Sequence, residues 1–404
     1  MPAVEIRDGI YWIGVNDRTT DLFEGLWPIT PEGVSYNSYL VRGERTAIID
    51  LSKGFKVDEF LDQIAAVADL RRIDYIVLNH LEPDHCGVLR TLLEIAPQAT
   101  ILASEKAVAM LDGFYGVRHN VRAVADGETL NLGRHTLRFV STPFVHWPET
   151  MMTYEEGSRV LFSCDAFGGY GALRGALFDD ECADLAFYER EALRYYVNIV
   201  AKFSRMVLQA IERLQDVPVD VVAPSHGLIW RRSPVRIIEL YRLWASCATR
   251  PHQPGVTLVY GSMYGNTEKI MNAVAHGISS QGLPVEIFDV TRVHASFILP
   301  ALWVRPGVVI GAPTYEAGLF PPMAHLLDMA RRKAIRGRFV ARFGSYGWSG
   351  GAQREFDTLV EALGWKTLVD PFEFVGAPDE EALKRGEGFG AAFARALGAV
   401  HGEE

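Results

Sequence analysis

Cysteine is scarce in this chain and never clustered. Its four cysteines, Cys86, Cys164, Cys182 and Cys247, stand far apart and form no Cys-x-x-Cys pair. That spacing excludes a disulfide framework and a thiolate-held iron centre, so any bound metal must rest on nitrogen and oxygen donors. Long apolar runs are absent too. No uninterrupted stretch approaches membrane-spanning length, and MPAVEIRDGIYWIG at the N-terminus has neither a basic region nor an apolar segment of the secretory type. A soluble cytoplasmic protein is the expectation. Positive charge is in deficit: the formal net charge of −10 argues against nucleic acid as a partner. Neither Gly-x-Gly-x-x-Gly nor a Gly-Lys-Ser/Thr pair occurs, which disfavours a dinucleotide fingerprint and an NTP-cradling loop.

What is present is an ordinary globular composition, 49% apolar and 22% charged over 404 residues, long enough for two hydrophobic cores. To about residue 250 the chain mixes short strand-like segments (GIYWIGV, NSYLVRG, TAIIDL, TILAS, VRAVADG, HTLRFVST, MMTYEE, RVLFSCD) with helical ones, including a long helical pattern from about Glu189 to Leu214. Sheets with helices outside them are implied. TRPHQPG, at 249–255, interrupts the pattern, and from Val256 onward strands and helices alternate in a five-strand β/α series. Such a series predicts a doubly wound parallel sheet.

The densest chemistry lies in NHLEPDHCG, 79–87, where His80, Glu82, Asp84 and His85 fall within six positions. IDYIVLN before it reads as a buried strand, while Pro83 and HCGVLRTLLEIA read as the opening of a helix. A lone histidine is more often structural than a ligand, but a cluster at a strand-to-helix junction is different. His146 in TPFVHWPET, Asp165 ending RVLFSCD and His226 in VVAPSH each follow another apolar run. Four imidazoles and three carboxylates are about what two adjacent metal ions need, with one carboxylate bridging.

In the second half, the loop SMYGNT between a first strand and first helix offers small and hydroxyl residues to a phosphate: Ser262, Met263, Tyr264, Gly265, Asn266 and Thr267. Two later loops follow the third and fourth strands. APTYEAG carries Pro313, Thr314, Tyr315 and Glu316; GSYGWSGGA carries Ser345, Tyr346, Gly347, Trp348, Ser349 and Gly350. Glycine lets backbone approach a flat ring, and Tyr315 and Trp348 offer faces for stacking. Many strand-to-helix turns contain such residues, but three loops at the ligand-binding edge of one sheet favour FMN over incidental loop aromatics.

His-x-Glu-x-Asp-His with distant His, Asp and His, followed by SMYGNT and SYGWSGG, resembles the flavodiiron proteins over nearly the whole chain. The resemblance implies a metallo-β-lactamase-like αββα sandwich over 1–250 and a flavodoxin-like FMN domain over 251–404. It implies one iron on His80, Glu82 and His146, a second on Asp84, His85 and His226, and Asp165 between them. It further implies reduction of O2 to water or of NO to N2O, in a head-to-tail homodimer or a tetramer. Because no cysteine-rich module follows, the expected electron donor is a separate molecule: rubredoxin first, a reduced deazaflavin or a flavin reductase otherwise. Hydrolytic relatives commonly have histidine where Glu82 stands, and an anionic oxygen donor suits redox-active iron better than zinc. The rival readings are a binuclear zinc hydrolase fused to a flavodoxin-like domain, and an electron carrier with a degenerate metal domain. Tyr195 in RYYVNIV is a candidate proton donor beside the metals, and Trp147 reads as a core tryptophan more readily than as a pocket wall.

Overall fold

The computed structural model describes residues 2–401, which fall into two compact units divided between Ala245 and Ser246. In the first, a seven-stranded sheet runs in the order Val4–Arg7, Ile10–Trp12, Tyr39–Arg42, Thr46–Ile49, Tyr75–Leu78, Thr100–Ser104, Val121–Val124. Its first four strands are antiparallel and the rest parallel. A second sheet of five strands is ordered Thr129–Asn131, Thr136–Ser141, Met151–Glu155, Val160–Cys164, Val221–Pro224.

Sequence pattern explains how the two sheets meet. In Thr136–Ser141 the side chains alternate, with Leu137 and Phe139 buried and Arg138 turned outward, as expected where one face meets water. Tyr75–Leu78 and Val160–Cys164 are nearly continuous apolar runs and are covered on both faces. Trp12, Val41, Ile49, Val77 and Leu102 of the first sheet share one core with Leu137, Phe139, Phe162 and Ala223 of the second. Each of the Val, Leu, Ile and Phe side chains contributes about 1.5–3 kcal/mol on burial. With helices such as Glu105–Tyr115 on the outside, this is the αββα sandwich.

The second unit is a parallel sheet ordered Val285–Asp289, Val256–Tyr260, Gly307–Gly311, Phe339–Tyr346, with both Lys366–Thr367 and Phe372–Val375 pairing to Phe339–Tyr346. Counted along the chain this is the order 2-1-3-4-5 of the flavodoxin-like doubly wound fold. Val256, Leu258, Ile270, Val274, Phe343 and Phe393 anchor its core.

Three expectations need correction. The fifth strand of this sheet is split, because Pro371 has no N–H to give the ladder between its two halves. The helical stretch near 189–214 starts earlier, at Leu185, where Asp184 caps it, and is interrupted by a π segment at Tyr196–Val200 and a 3-10 turn at Ala201–Phe203. The helix after Pro83 is two pieces, Pro83–Cys86 and Leu89–Ile95. The break falls where Gly87 presses on Gly54: a Cβ on Gly87 would lie 2.4 Å from the Gly54 nitrogen. Among the described residues no helix is long and apolar enough to cross a membrane.

Candidate metal and flavin centres

All seven side chains singled out as metal donors meet at one edge of the first unit. His80 follows the strand Tyr75–Leu78, Asp165 follows Val160–Cys164 and His226 follows Val221–Pro224; Glu82 precedes the short helix that carries Asp84 and His85. His146 lies in the loop before Met151–Glu155. They divide into two groups. Nε2 of His80 and Nε2 of His146 each lie 3.2 Å from Glu82 Oε2 and 3.5 Å from Asp165 Oδ2. On the other side, Nε2 of His85 is 3.1 Å and Nε2 of His226 is 3.4 Å from Asp165 Oδ1, and Asp84 lies 3.5 Å from both.

The donor set fits two metal ions. Donor atoms each about 2.1 Å from a shared ion stand about 3–3.5 Å apart, which is the spacing seen here. Both oxygens of Asp84, Oδ2 of Asp165 and Nε2 of His226 are buried without a hydrogen-bond partner, a costly arrangement unless a cation satisfies them. Two histidines are also set in the metal-binding tautomer. His226 Nδ1 bonds the carbonyl of Ser35 at 2.7 Å and His80 Nδ1 bonds Glu149 Oε1 at 2.7 Å, so that each Nε2 lone pair faces the carboxylates. Without a cation to compete for Nε2, the facing carboxylates would favour a proton on these rings. Burial pulls His226 down, but the carboxylates of Asp165 and Asp84 facing its Nε2 outweigh this and push it up to about 10. Burial likewise would raise Asp165, yet the charge of His85 and the facing imidazoles of His226 and His85 hold it well below the usual carboxylate range.

Several supporting residues escape a reading of sequence. Glu149 is fully buried, and its Oε1 also accepts from Leu81 N at 3.2 Å. Asp50 takes both the backbone and side-chain N–H of Asn79, at 2.7 and 2.9 Å, and so fixes the residue before His80. A carboxylate three positions after His146 was the available signal for Glu149; for Asp50 there was only its place at the end of Thr46–Ile49. Tyr195 donates to Asp165 Oδ1 at 2.9 Å. Trp147 corrects the core reading: it is half-buried and packs edge-on against His80, ring centroids 4.9 Å apart.

In the second unit a cleft of about 610 Å³ opens at the carboxyl ends of the strands. Met263, Tyr264, Asn266, Pro313, Thr314, Tyr315, Glu316, Ser345, Tyr346, Gly347, Trp348 and Ser349 line it, joined by Ala317 and Gly376, which carry no such signal in sequence. The remaining four candidates, Ser262, Gly265, Thr267 and Gly350, are not on the wall. Ser262 Oγ instead accepts from Gly265 N at 3.0 Å, shaping the turn, while buried Thr267 bonds Ser345 at 3.0 Å and ties the first loop to the third. Gly265 takes a positive φ of 86° at the start of the helix Asn266–Ser279, whose first N–H groups have no side-chain cap and are free for an anion. APTYEAG folds as a small hairpin, Thr314–Tyr315 against Gly318–Leu319. These loops, with Thr314 Oγ1 buried and unpartnered, fit a phosphate-bearing planar ligand such as FMN.

Comparison with known proteins agrees with both centres. Residues 34–227 match the family described as ODP family beta lactamase, and 258–387 match the flavodoxin family. The anaerobic nitric oxide reductase flavorubredoxin of Escherichia coli strain K12 is 35% identical over 388 residues, covering 95% of this chain and 80% of that protein. Among solved structures, the rubredoxin oxygen:oxidoreductase of the anaerobe Desulfovibrio gigas superposes with a TM-score of 0.92 at 30% identity, over 98% of this chain and 99% of that one. The flavodiiron protein of Giardia intestinalis gives a TM-score of 0.94 at 28% identity, over 100% and 98%. Sandwich, doubly wound sheet, paired donor groups and relatives converge, and the chain belongs to the flavodiiron protein family of oxidoreductases.

Proposed function

We propose that this chain reduces O2 to water, NO to N2O, or both, with residues 1–250 serving the oxidant and residues 251–404 receiving the electrons. The observation that carries this reading is Asp165, whose two oxygens face two separate donor groups. When bound, two non-haem irons and FMN would supply the redox chemistry, electron storage and transfer to the oxidant. His80, Glu82 and His146 would hold one iron, Asp84, His85 and His226 the other, and Asp165 both. Glu149 and the Ser35 carbonyl orient His80 and His226, keeping each Nε2 unprotonated once a cation competes for it. Tyr195 is fully buried; burial first, and then the charge of Asp165, push its pKa well above the phenol range. A phenol so held keeps its proton, and we read Tyr195 as the group that fixes the orientation of Asp165. Trp147, against His80, walls the site from bulk water.

Relatives bear names for both reactions, nitric oxide reductase and rubredoxin oxygen:oxidoreductase. A rubredoxin is accordingly the first donor to test, ahead of a reduced deazaflavin or a flavin reductase. Tyr264 and Trp348 at the flavin cleft are 89% and 95% exposed, a surface more apolar than water contact favours. We place them against the metal-bearing unit of a second copy in a head-to-tail homodimer, with a tetramer as the higher assembly. A cytoplasmic address belongs to the same proposal and is checked by cell fractionation.

The test is metal and flavin analysis combined with steady-state consumption of O2 and of NO under one reduced rubredoxin. About two irons and one FMN per chain, with consumption of at least one oxidant, is the expected result. Two zincs and no consumption would instead support the hydrolase reading.

A further inference from the structure

Two arginines of the strand Phe339–Tyr346 region are almost completely buried, and they are not alike. Arg338, at one end, donates to the carbonyls of Leu302, Trp303, Arg336 and Cys247, so its guanidinium is satisfied by backbone alone and ties loops together. Arg342, toward the flavin end, is 1% exposed and incompletely satisfied. Its Nη1 donates to Gln353 Oε1 and Glu373 Oε1, both at 2.9 Å, and Nη2 donates to the Ala312 carbonyl at 3.3 Å. Nε is buried with no acceptor. A buried cation with an unused donor costs stability, so its position calls for an account.

That position adjoins the loops that line the flavin cleft. Ala312 immediately precedes Pro313 and Thr314 of one wall, and Gly344 immediately precedes Ser345 and Tyr346 of another. The two backbones approach so closely that a Cβ on Gly344 would lie 2.1 Å from the Ala312 carbonyl and 2.7 Å from Arg342 Nη2. Glu373 pairs with Gly344 across the sheet, and its Oε2 lies 3.9 Å from where a Cβ on Gly350 would stand, which brings the third loop into the same cluster. The guanidinium therefore joins the loops that form the cleft. Its charge is also unevenly compensated. The Glu373 side chain is 30% exposed and the Arg342 side chain 0%, so solvent screens the anion while the cation acts through protein. Arginine stays charged at any working pH.

We propose that Arg342 is a positioning residue of the flavin site that also tilts the site toward reduced flavin. Reduction would add negative charge to a bound flavin, and a buried cation joining the loops that would hold it favours that form over the neutral oxidised one. The inference rests on FMN occupying this cleft.

The experiment is anaerobic titration of the full-length flavin-free protein with oxidised and with reduced FMN, for the unaltered chain and three variants. In Arg342→Gln the ratio of reduced to oxidised affinity should fall about tenfold, a drop of about 30 mV in the two-electron potential. Arg342→Lys should keep most of the ratio. Glu373→Gln removes the anion and leaves the cation, and should move the ratio upward. A purely structural cluster would loosen in both variants and shift the ratio the same way or not at all; either result overturns the inference. Should Arg342→Gln fail to fold, Glu373→Gln decides alone, with an unchanged or lowered ratio as the contrary outcome. An unaltered chain that binds no FMN sinks the flavin reading and the inference together, whereas FMN bound with an unmoved ratio sinks only the inference.

Discussion

The hydroxyl of Tyr195 donates to Oδ1 of Asp165 at 2.9 Å, the oxygen that also faces His85 and His226. Tyr195→Phe removes this restraint and no donor atom. Iron affinity should fall about tenfold, while the pH dependence of turnover keeps its shape. Chelator competition and a pH–rate profile check this; a profile that loses a limb would make Tyr195 a proton donor instead.

Glu149 bonds the far nitrogen of His80 and presents no atom to the paired carboxylates. Glu149→Ala should therefore leave all seven donors in place yet weaken metal binding about 10- to 100-fold. Unchanged affinity in the same competition assay would show that backbone packing alone orients His80.

In the metal-free protein the raised pKa of His226 makes stability depend on pH. Its contribution is fully present below the ordinary value of 6.5 and is lost as pH rises through about 10. The melting temperature of the metal-free chain should thus fall between pH 7 and pH 10, whereas the iron-loaded chain, with no ring proton to lose, should show a flatter curve. Parallel curves for the two forms would contradict this.

Trp348, at 95% exposure, contributes almost nothing to the fold of its own unit. Trp348→Ala should change stability by about 0.5 kcal/mol or less. If the flavin cleft meets a second copy, the same change should weaken the dimer in sedimentation and lower turnover. A dimer of unchanged affinity would place the interface elsewhere.

How much of this was legible beforehand depended on whether a feature is local in sequence. His80, Asp165 and His226 could be found because each stands where a β-branched run gives way to polar residues, which marks a strand end. The three flavin loops were legible for the same reason. Glu149 was not, since its role depends on where the ring of His80 turns, a relationship across 69 positions. Gly265 and Thr267 were recognised as members of their loop but act by shaping it, which spacing does not reveal. The π segment Tyr196–Val200 is invisible to a 3.6-residue periodicity because it is a local departure from it. Arg342 reads in sequence as an ordinary strand residue; only the packing of Glu373 and Ala312 around it shows a buried charge.

The most direct test is Asp165→Ala compared with the unaltered chain, measuring iron, FMN and oxidant consumption in the same preparations. Among the described residues, Asp165 is the one side chain with an oxygen toward each donor group. The expected result is FMN absorbance unchanged, loss of the paired irons, and consumption of both O2 and NO reduced to background. Turnover that survives the substitution would contradict the two-metal site.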